Sequence, residues 1–326
     1  MNRPTSPVFP AAAAPPAPWA RGHYYLPDIS EAEAAFFAGA ALQALDGLIR
    51  NGPEWAGLWR ARMALKAAAV STSLLGRPEE EGALRDAVCL TRPGEDPGPA
   101  GRVLLAWRRL GRHSGAMDGD LLASVAELLG AKPDRDWKEL AGWIDALGQG
   151  GRAAPFAAIE AAEHIADGFP ALTIPAELLA LWLADLALAA SLKWPRPVPL
   201  LVTQLQKSFF REGPNRRRLR FGEAGWRTAC LIGYGQAALE AYDLGADAAR
   251  RAERLKLTAP KLRAKGAARI IDALLQDDAL LPSAWVGMAP GQGMTDRAVR
   301  RLFERLLTLG AVRELTGRPT FRLYGL

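Results

Sequence analysis

Residues 295–324, TDRAVRRLFERLLTLGAVRELTGRPTFRLY, carry the clearest fold signal in the chain. Thr295 suits the N-cap position of a helix, because its hydroxyl can accept a hydrogen bond from a main-chain N–H of the first turn. The helix is predicted to span Asp296–Leu309, with apolar residues on one face, arginines largely on the other, and Gly310 at its end. Two short alternating runs around the turn Thr316–Pro319 then predict a β-hairpin.

The residues just upstream extend this pattern into a complete small module. A helix is predicted at Leu262–Leu275, a short segment follows around Pro282–Trp285, and a glycine-rich loop occupies 287–293. Three helices followed by a two-stranded wing form the winged variant of the helix-turn-helix, which we therefore expect over 261–326. In such a module the last helix enters the major groove and the hairpin reaches neighbouring phosphates or the minor groove. The alternative is a winged helix that serves as a protein-docking module.

The predicted DNA contacts are polar and basic side chains in three places. The last helix supplies Thr295, Arg297, Arg300, Arg301 and Arg305. The wing supplies Arg318 at its tip and Arg322 on its second run. Farther upstream, Arg216, Arg217 and Arg218 form a dense basic loop that contacts a second phosphate or is simply a solvated turn. Arginine suits these contacts because its planar fork of donors matches both phosphate and guanine.

The net charge of +6 is unevenly distributed along the chain. Residues 207–326 hold 22 Lys and Arg against 12 Asp and Glu, a net charge of +10, whereas residues 1–206 hold 19 against 23, a net charge of −4. A basic C-terminal part favours a polyanionic partner at that end, and hence duplex DNA. The 33 arginines against 8 lysines fit this interpretation, but genomic base composition produces the same excess.

Cysteine and histidine are too scarce for several kinds of site. The chain has two cysteines and three scattered histidines, which argues against a disulfide scaffold, a four-ligand zinc site and a histidine-rich metal centre. Neither a P-loop nor a nucleophile-elbow sequence is present. The sequence therefore predicts no metal, no cofactor and no catalytic residue.

The remainder of the chain is predicted to be helical after a proline-rich start. Residues 1–21 are expected to form a disordered leader, because six prolines fall among the first 20 residues. Residues 22–258 are expected to form an α-helical domain whose first helix is capped by Ser30. The predicted fold class is thus mainly α, a multi-helix bundle followed by a winged helix. We expect the bundle to form a homodimer or to bind a protein partner.

The most apolar segment, Leu178–Leu192, has 15 residues with Asp185 near its middle. It is shorter than the ~20 residues that span a bilayer, so we expect a buried core helix in a cytoplasmic bacterial protein without membrane contact. A buried carboxylate needs a partner, and we expect a salt bridge to an arginine of another helix.

The string LGAVRELTGR at 309–318, with the preceding Ala298–Phe303, resembles the winged-helix tail of many Fic-family proteins. That resemblance implies a Fic-like helical scaffold for the bundle. Fic enzymes need a histidine general base and a Gly-Asn-Gly-Arg loop that cradles nucleotide phosphates. The chain has no Gly-Asn-Gly-Arg, and the corresponding segment Leu186–Gln204 has no histidine, so the resemblance implies a scaffold without AMP transfer.

Two further strings, LRDA at 84–87 and DPGPAGR at 96–102, extend a second resemblance over the whole chain. With them the chain is similar to an uncharacterised bacterial family, a domain of unknown function associated with alphaproteobacterial replicons. Our leading hypothesis is a DNA-binding protein, either a transcriptional regulator or a replicon-maintenance protein. The alternatives are a protein–protein adaptor and a divergent Fic-like nucleotide transferase.

Overall fold

The structure is a computed structural model that describes residues 15–21, 29–92, 94–115, 118–131, 136–169, 172–262, 264, 266–287, 294–318 and 320–326. This part of the chain is mainly α, as predicted. Its helices are α1 (Glu31–Asn51), α2 (Ala56–Leu74), α3 (Glu81–Cys89), α4 (Gly98–Arg112), α5 (Gly119–Leu129), α6 (Trp137–Gln149), α7 (Ala154–Asp167), α8 (Ile174–Ser191), α9 (Trp226–Thr258), α10 (Ala267–Gln276) and α11 (Asp296–Thr308). Two short antiparallel hairpins pair β1 (Arg211–Glu212) with β2 (Arg217–Arg218) and β3 (Arg313–Glu314) with β4 (Tyr324–Gly325).

Helix α8 lies at the centre of the bundle, as its apolar sequence predicts. Fourteen of its 18 residues are buried, and α6 and α7 pack against it. Both α1 and α8 are long and apolar enough to cross a membrane by length and composition, and 78% of the apolar window of α8 is buried inside the protein. The apolar character of α8 is therefore used in packing against neighbouring helices.

The partner of Asp185 in α8 differs from the predicted one. Among the described residues no arginine reaches its carboxylate, which instead accepts hydrogen bonds from the main-chain N–H groups of Leu200 at 2.7 Å and Leu201 at 3.3 Å. These amides open a 3₁₀ turn, Leu201–Gln204, whose first N–H groups have no partner within the turn. The predicted salt bridge is therefore wrong, because the main-chain N–H groups at the start of this 3₁₀ turn supply the hydrogen bonds that the carboxylate needs.

Two further predictions about helices are wrong, one on a break between helices and one on a helix type. The sequence predicts separate helices at Trp226–Tyr242 and Ala246–Leu257, but α9 runs without a break for 33 residues. Gly245 does not end a helix; a Cβ there would lie 2.5 Å from Leu48 Cδ2, so the glycine lets α9 approach α1 closely. The predicted helix Leu200–Phe210 forms two 3₁₀ turns instead.

The residues after α9 share one apolar core with the bundle. Helix α10 packs on α2, where a Cβ on Gly57 would lie 2.7 Å from the Cα of Gln276. Asp278, almost fully buried, accepts from Arg62 Nε at 3.2 Å and Arg85 Nε at 2.5 Å. Two cations of the bundle therefore hold one anion of the C-terminal part.

The chain termini add two further observations. Residues 1–14 of the predicted leader lie outside the described residues, whereas 15–21 pack on the bundle: Trp19 stacks on Phe36 at 5.6 Å and Arg21 forms a two-point ion pair with Asp243. Of the predicted glycine-rich loop at 287–293, only Gly287 belongs to the described residues.

Candidate nucleic-acid interface

Helix α11 is amphipathic, as its sequence predicts. The Thr295 hydroxyl accepts from the main-chain N–H of Ala298, which makes Thr295 the N-cap. The inner face buries Val299, Leu302, Phe303 and Leu306, and the Phe303 ring lies 4.9 Å from that of Tyr324 on β4. The helix ends at Thr308, one residue before the predicted end. The same packing leaves the opposite face to solvent.

Three arginines form a stripe on that exposed face of α11. Arg297, Arg301 and Arg305 are exposed, and none of them has an ion-pair or hydrogen-bond partner for its side chain among the described residues. Their four-residue spacing places them on one side of the helix over about 12 Å. Arg300 differs from them because its guanidinium pairs with Asp296 at 2.9 Å. The unpaired stripe can donate hydrogen bonds to an external anion without breaking an internal contact.

The hairpin β3–β4 holds the other two predicted C-terminal contacts. The loop between its strands is fixed by the Glu314 carboxylate, which accepts from the main-chain N–H groups of Thr316 and Gly317. Arg318 is not free at the tip, because its guanidinium lies 2.6 Å from Asp86 of α3. Arg322 is exposed, and its Nε donates to the main-chain oxygen of Arg318. The hairpin is thus tied to the bundle, with Arg322 presented to solvent.

The basic segment at 216–218 forms one end of the hairpin β1–β2. Arg217 pairs with Glu223 at 2.8 Å, and Arg218 makes a two-point ion pair with the buried Glu177 of α8. Arg216 occupies the turn with φ at +50° and is exposed. Internal carboxylates therefore engage two of these three predicted phosphate contacts. Only Arg216 presents a side chain without a partner in the described part of the chain.

Four arginines line a pocket and form a second basic cluster that the sequence did not predict. Arg60 lies on α2, Arg108 and Arg112 lie on α4, and Arg196 follows α8. These positions spread over 136 residues of chain, so no local spacing marks them as a group. Their separate runs show only ordinary helical periodicity, and the arrangement emerges from the packing of α2, α4 and α10.

The described residues contain no group of three or more His, Cys, Asp or Glu side chains arranged to hold a metal ion. The arginines of α11 and of the pocket make the candidate sites cationic, and the ligands that such sites suit are anions.

A comparison of the sequence with protein-family models identifies the family of this chain. A model of proteins of unknown function, DUF1403, matches residues 10–326. The chain belongs to the DUF1403 family. This confirms the predicted resemblance to a family of unknown function, and the DUF1403 match spans the bundle, the pocket and α11 alike. A search of curated proteins found no match to this chain.

Proposed function

We propose that residues 261–326 form a winged-helix module that binds duplex DNA through α11. The order of elements supports this assignment: α10, an extended residue at Leu280, a short turn at Pro282–Trp285, α11, and the hairpin β3–β4. The main chains of Leu280 and Tyr324 exchange two hydrogen bonds of 2.8 and 3.0 Å. The last strand is thereby flanked by β3 on one side and by the segment before α11 on the other, as in a winged helix.

The observation that carries the proposal is the unpaired stripe Arg297, Arg301 and Arg305. An α-helix with its side chains is about 10–12 Å across, which fits the major groove, about 12 Å wide. Guanidinium groups that have no internal partner keep their donors available for phosphate oxygens or for guanine O6 and N7. Arg322 and Arg216 supply further exposed cations for the DNA backbone.

For the helical bundle we propose a supporting role, in dimerisation or partner binding, without chemistry of its own. The segment after α8 is where a Fic enzyme would carry its catalytic motif. Here Asp185 holds the amides of Leu200 and Leu201 in a buried structural contact, and the segment 186–204 has no histidine. These features favour a structural role for this segment over nucleotide transfer. We propose that the bundle is a Fic-like scaffold that serves a transcriptional regulator or a replicon-maintenance protein.

Single substitutions test the DNA-binding proposal with a matched control. Fluorescence anisotropy of a labelled mixed-sequence duplex is measured with the full chain and with Arg301→Ala, Arg300→Ala and Arg92→Ala. Arg301→Ala is expected to weaken binding by about 1–3 kcal/mol if the residue reads a base. Arg300→Ala should cost less, because Asp296 already engages that guanidinium. Arg92→Ala, which removes a side chain 85% exposed beyond α3, should leave affinity unchanged.

Equal losses in all three variants would mean that only total charge matters, and the assignment of α11 would then fail. One observation favours the adaptor alternative: Phe321, in the loop of the β3–β4 hairpin, is 68% exposed. A full chain that does not bind duplex DNA at low salt would replace the DNA proposal with protein docking through this hairpin.

A further inference from the structure

A pocket of about 510 Å³ lies where the bundle meets the C-terminal part. Helices α2 and α4 form one side, α10 and the residues after it form another, and Arg196 closes a third. Its size falls within the range of small-molecule sites, about 300–1,000 Å³. The lining includes four arginines and one acidic residue, Asp277, which gives a formal charge of +3. A concave site with this charge favours a multiply charged anion.

Two of the four arginines have no internal partner. The side chains of Arg60 and Arg196 form no ion pair or hydrogen bond with the residues that the structure describes. Burial and the nearby charge of Arg196 lower the pKa of the Arg60 guanidinium to about 10. Two neighbouring cations without a carboxylate repel each other, so an anion placed between them would remove an unfavourable interaction.

The third arginine, Arg108, brings a nearly buried cation to the pocket wall. Arg108 is 8% exposed, and its Nη2 donates a hydrogen bond to Asp277 Oδ1 at 3.1 Å. Its Nε is buried and has no hydrogen-bond partner within the described part of the chain. A buried donor left unsatisfied costs about 1–3 kcal/mol. Because this Nε is enclosed, Arg108 contributes to the pocket through its charge, which adds to those of Arg60 and Arg196.

Small residues leave the space that a ligand would need. Gly57, Ala61, Gly111 and Ala273 line the pocket between the arginines. At Gly111, a Cβ would lie 3.4 Å from the Cβ of Arg60, so the glycine accommodates the stem of that arginine against α4. The walls therefore combine forked cationic donors with a small apolar surface, as a site for a charged metabolite does.

We infer that this pocket binds a small phosphorylated metabolite, with its phosphate or diphosphate group held by Arg60, Arg108 and Arg196. The charge of the lining favours this class. A diphosphate group carries up to three negative charges and matches +3, whereas a monocarboxylate would leave most of the repulsion in place. Planar guanidinium forks also bind phosphate oxygens in pairs. The inference stands independently of DNA binding, because none of these arginines lies on α11.

The test is isothermal titration of the full chain with inorganic pyrophosphate at low salt. One pyrophosphate per chain should bind, and Arg60→Ala should weaken binding about tenfold or more, as expected for loss of a charge-assisted hydrogen bond. Arg196→Ala is the safer variant for folding, since its side chain is exposed and contacts no described partner. It should also weaken binding. Arg92→Ala and the triple variant Arg297→Ala, Arg301→Ala, Arg305→Ala should bind pyrophosphate like the unaltered chain.

Four outcomes would overturn the inference. The first is an absence of pyrophosphate binding. The second is equal binding by Arg60→Ala, Arg196→Ala and the unaltered chain, which would move the site to another basic surface. The third is tighter binding of citrate than of pyrophosphate, which would assign the pocket to a polycarboxylate. The fourth is loss of pyrophosphate binding in the α11 triple variant alone, which would place the anion site on α11 and leave the DNA proposal standing.

Discussion

Asp185 gives the fold a pH dependence whose size follows from its surroundings. The side chain is fully buried in α8, and this burial raises its pKa from an ordinary value of 3.8 to about 7, despite the two amide donors that favour the carboxylate. Because the folded pKa is the higher one, the native state binds a proton more tightly than the unfolded chain does. The unfolding free energy should therefore fall as pH rises from about 4 and level off above about 7.

The magnitude can be worked out from these two values. With pKa values of about 4 unfolded and about 7 folded, linkage predicts a loss of about 2.5 kcal/mol between pH 5 and pH 8. Urea unfolding followed by circular dichroism at both pH values measures it. Asp185→Asn keeps an acceptor for the amide of Leu200 but cannot ionise, so the variant should lack this part of the pH dependence. Parallel pH profiles for the two proteins would show that Asp185 does not cause the pH dependence.

Two further predictions concern the junction between the bundle and α10. Gly57→Ala should destabilise the chain by about 1–3 kcal/mol, because the added Cβ would clash with the main chain of Gln276. The control Gly39→Ala, on an open stretch of α1, should stabilise the chain by about 0.5–1 kcal/mol. Thermal melts of the two variants measure the difference. Asp278→Ala should cost about 1.5–3 kcal/mol in urea unfolding, because the partly buried guanidinium groups of Arg62 and Arg85 each lose a charge-assisted hydrogen bond. A double-mutant cycle with Arg85→Ala should show coupling. Additive losses in that cycle would contradict the ion-pair account.

Local signals in the sequence predicted the elements that depend on neighbouring residues. Thr295 caps α11 as expected, and Ser30 caps α1 with the reciprocal hydrogen bonds of a capping box that includes Glu33. Both caps act over three residues, so the sequence states them directly. The two runs around the turn 316–319 also pair as a hairpin, with Glu314 opposite Tyr324.

Contacts between distant residues could not be predicted in the same way. Arg218 reaches Glu177 across 41 residues and Arg318 reaches Asp86, and both pairs withdraw arginines that the sequence offers to DNA. The partner of Asp185 was missed because main-chain amides, which every residue except proline carries, leave no mark in the composition. The four pocket arginines follow no regular spacing in the sequence, so no local pattern marks them as a group. In each case the packing of whole helices decides which charges remain free.

The pocket and α11 together suggest how the two proposals would combine. Asp277 contacts Arg108 in the pocket wall and lies at the end of α10, in the part of the chain that carries the proposed DNA-binding helix. An anion bound to Arg108 would compete with Asp277 for that guanidinium. Pyrophosphate is therefore expected to change the DNA affinity of the full chain but not that of Arg60→Ala, a comparison that anisotropy can make directly.

DNA binding through α11 is tested most directly by the salt dependence of duplex binding by the full chain. Anisotropy titrations of a duplex over a range of salt concentrations should give a linear decrease of log K with log salt concentration, because bound phosphates release counterions. The triple variant Arg297→Ala, Arg301→Ala, Arg305→Ala should bind more weakly, with a slope smaller by about one for each phosphate that an arginine no longer neutralises. An unchanged affinity and slope in the triple variant would contradict the account and remove α11 from the interface.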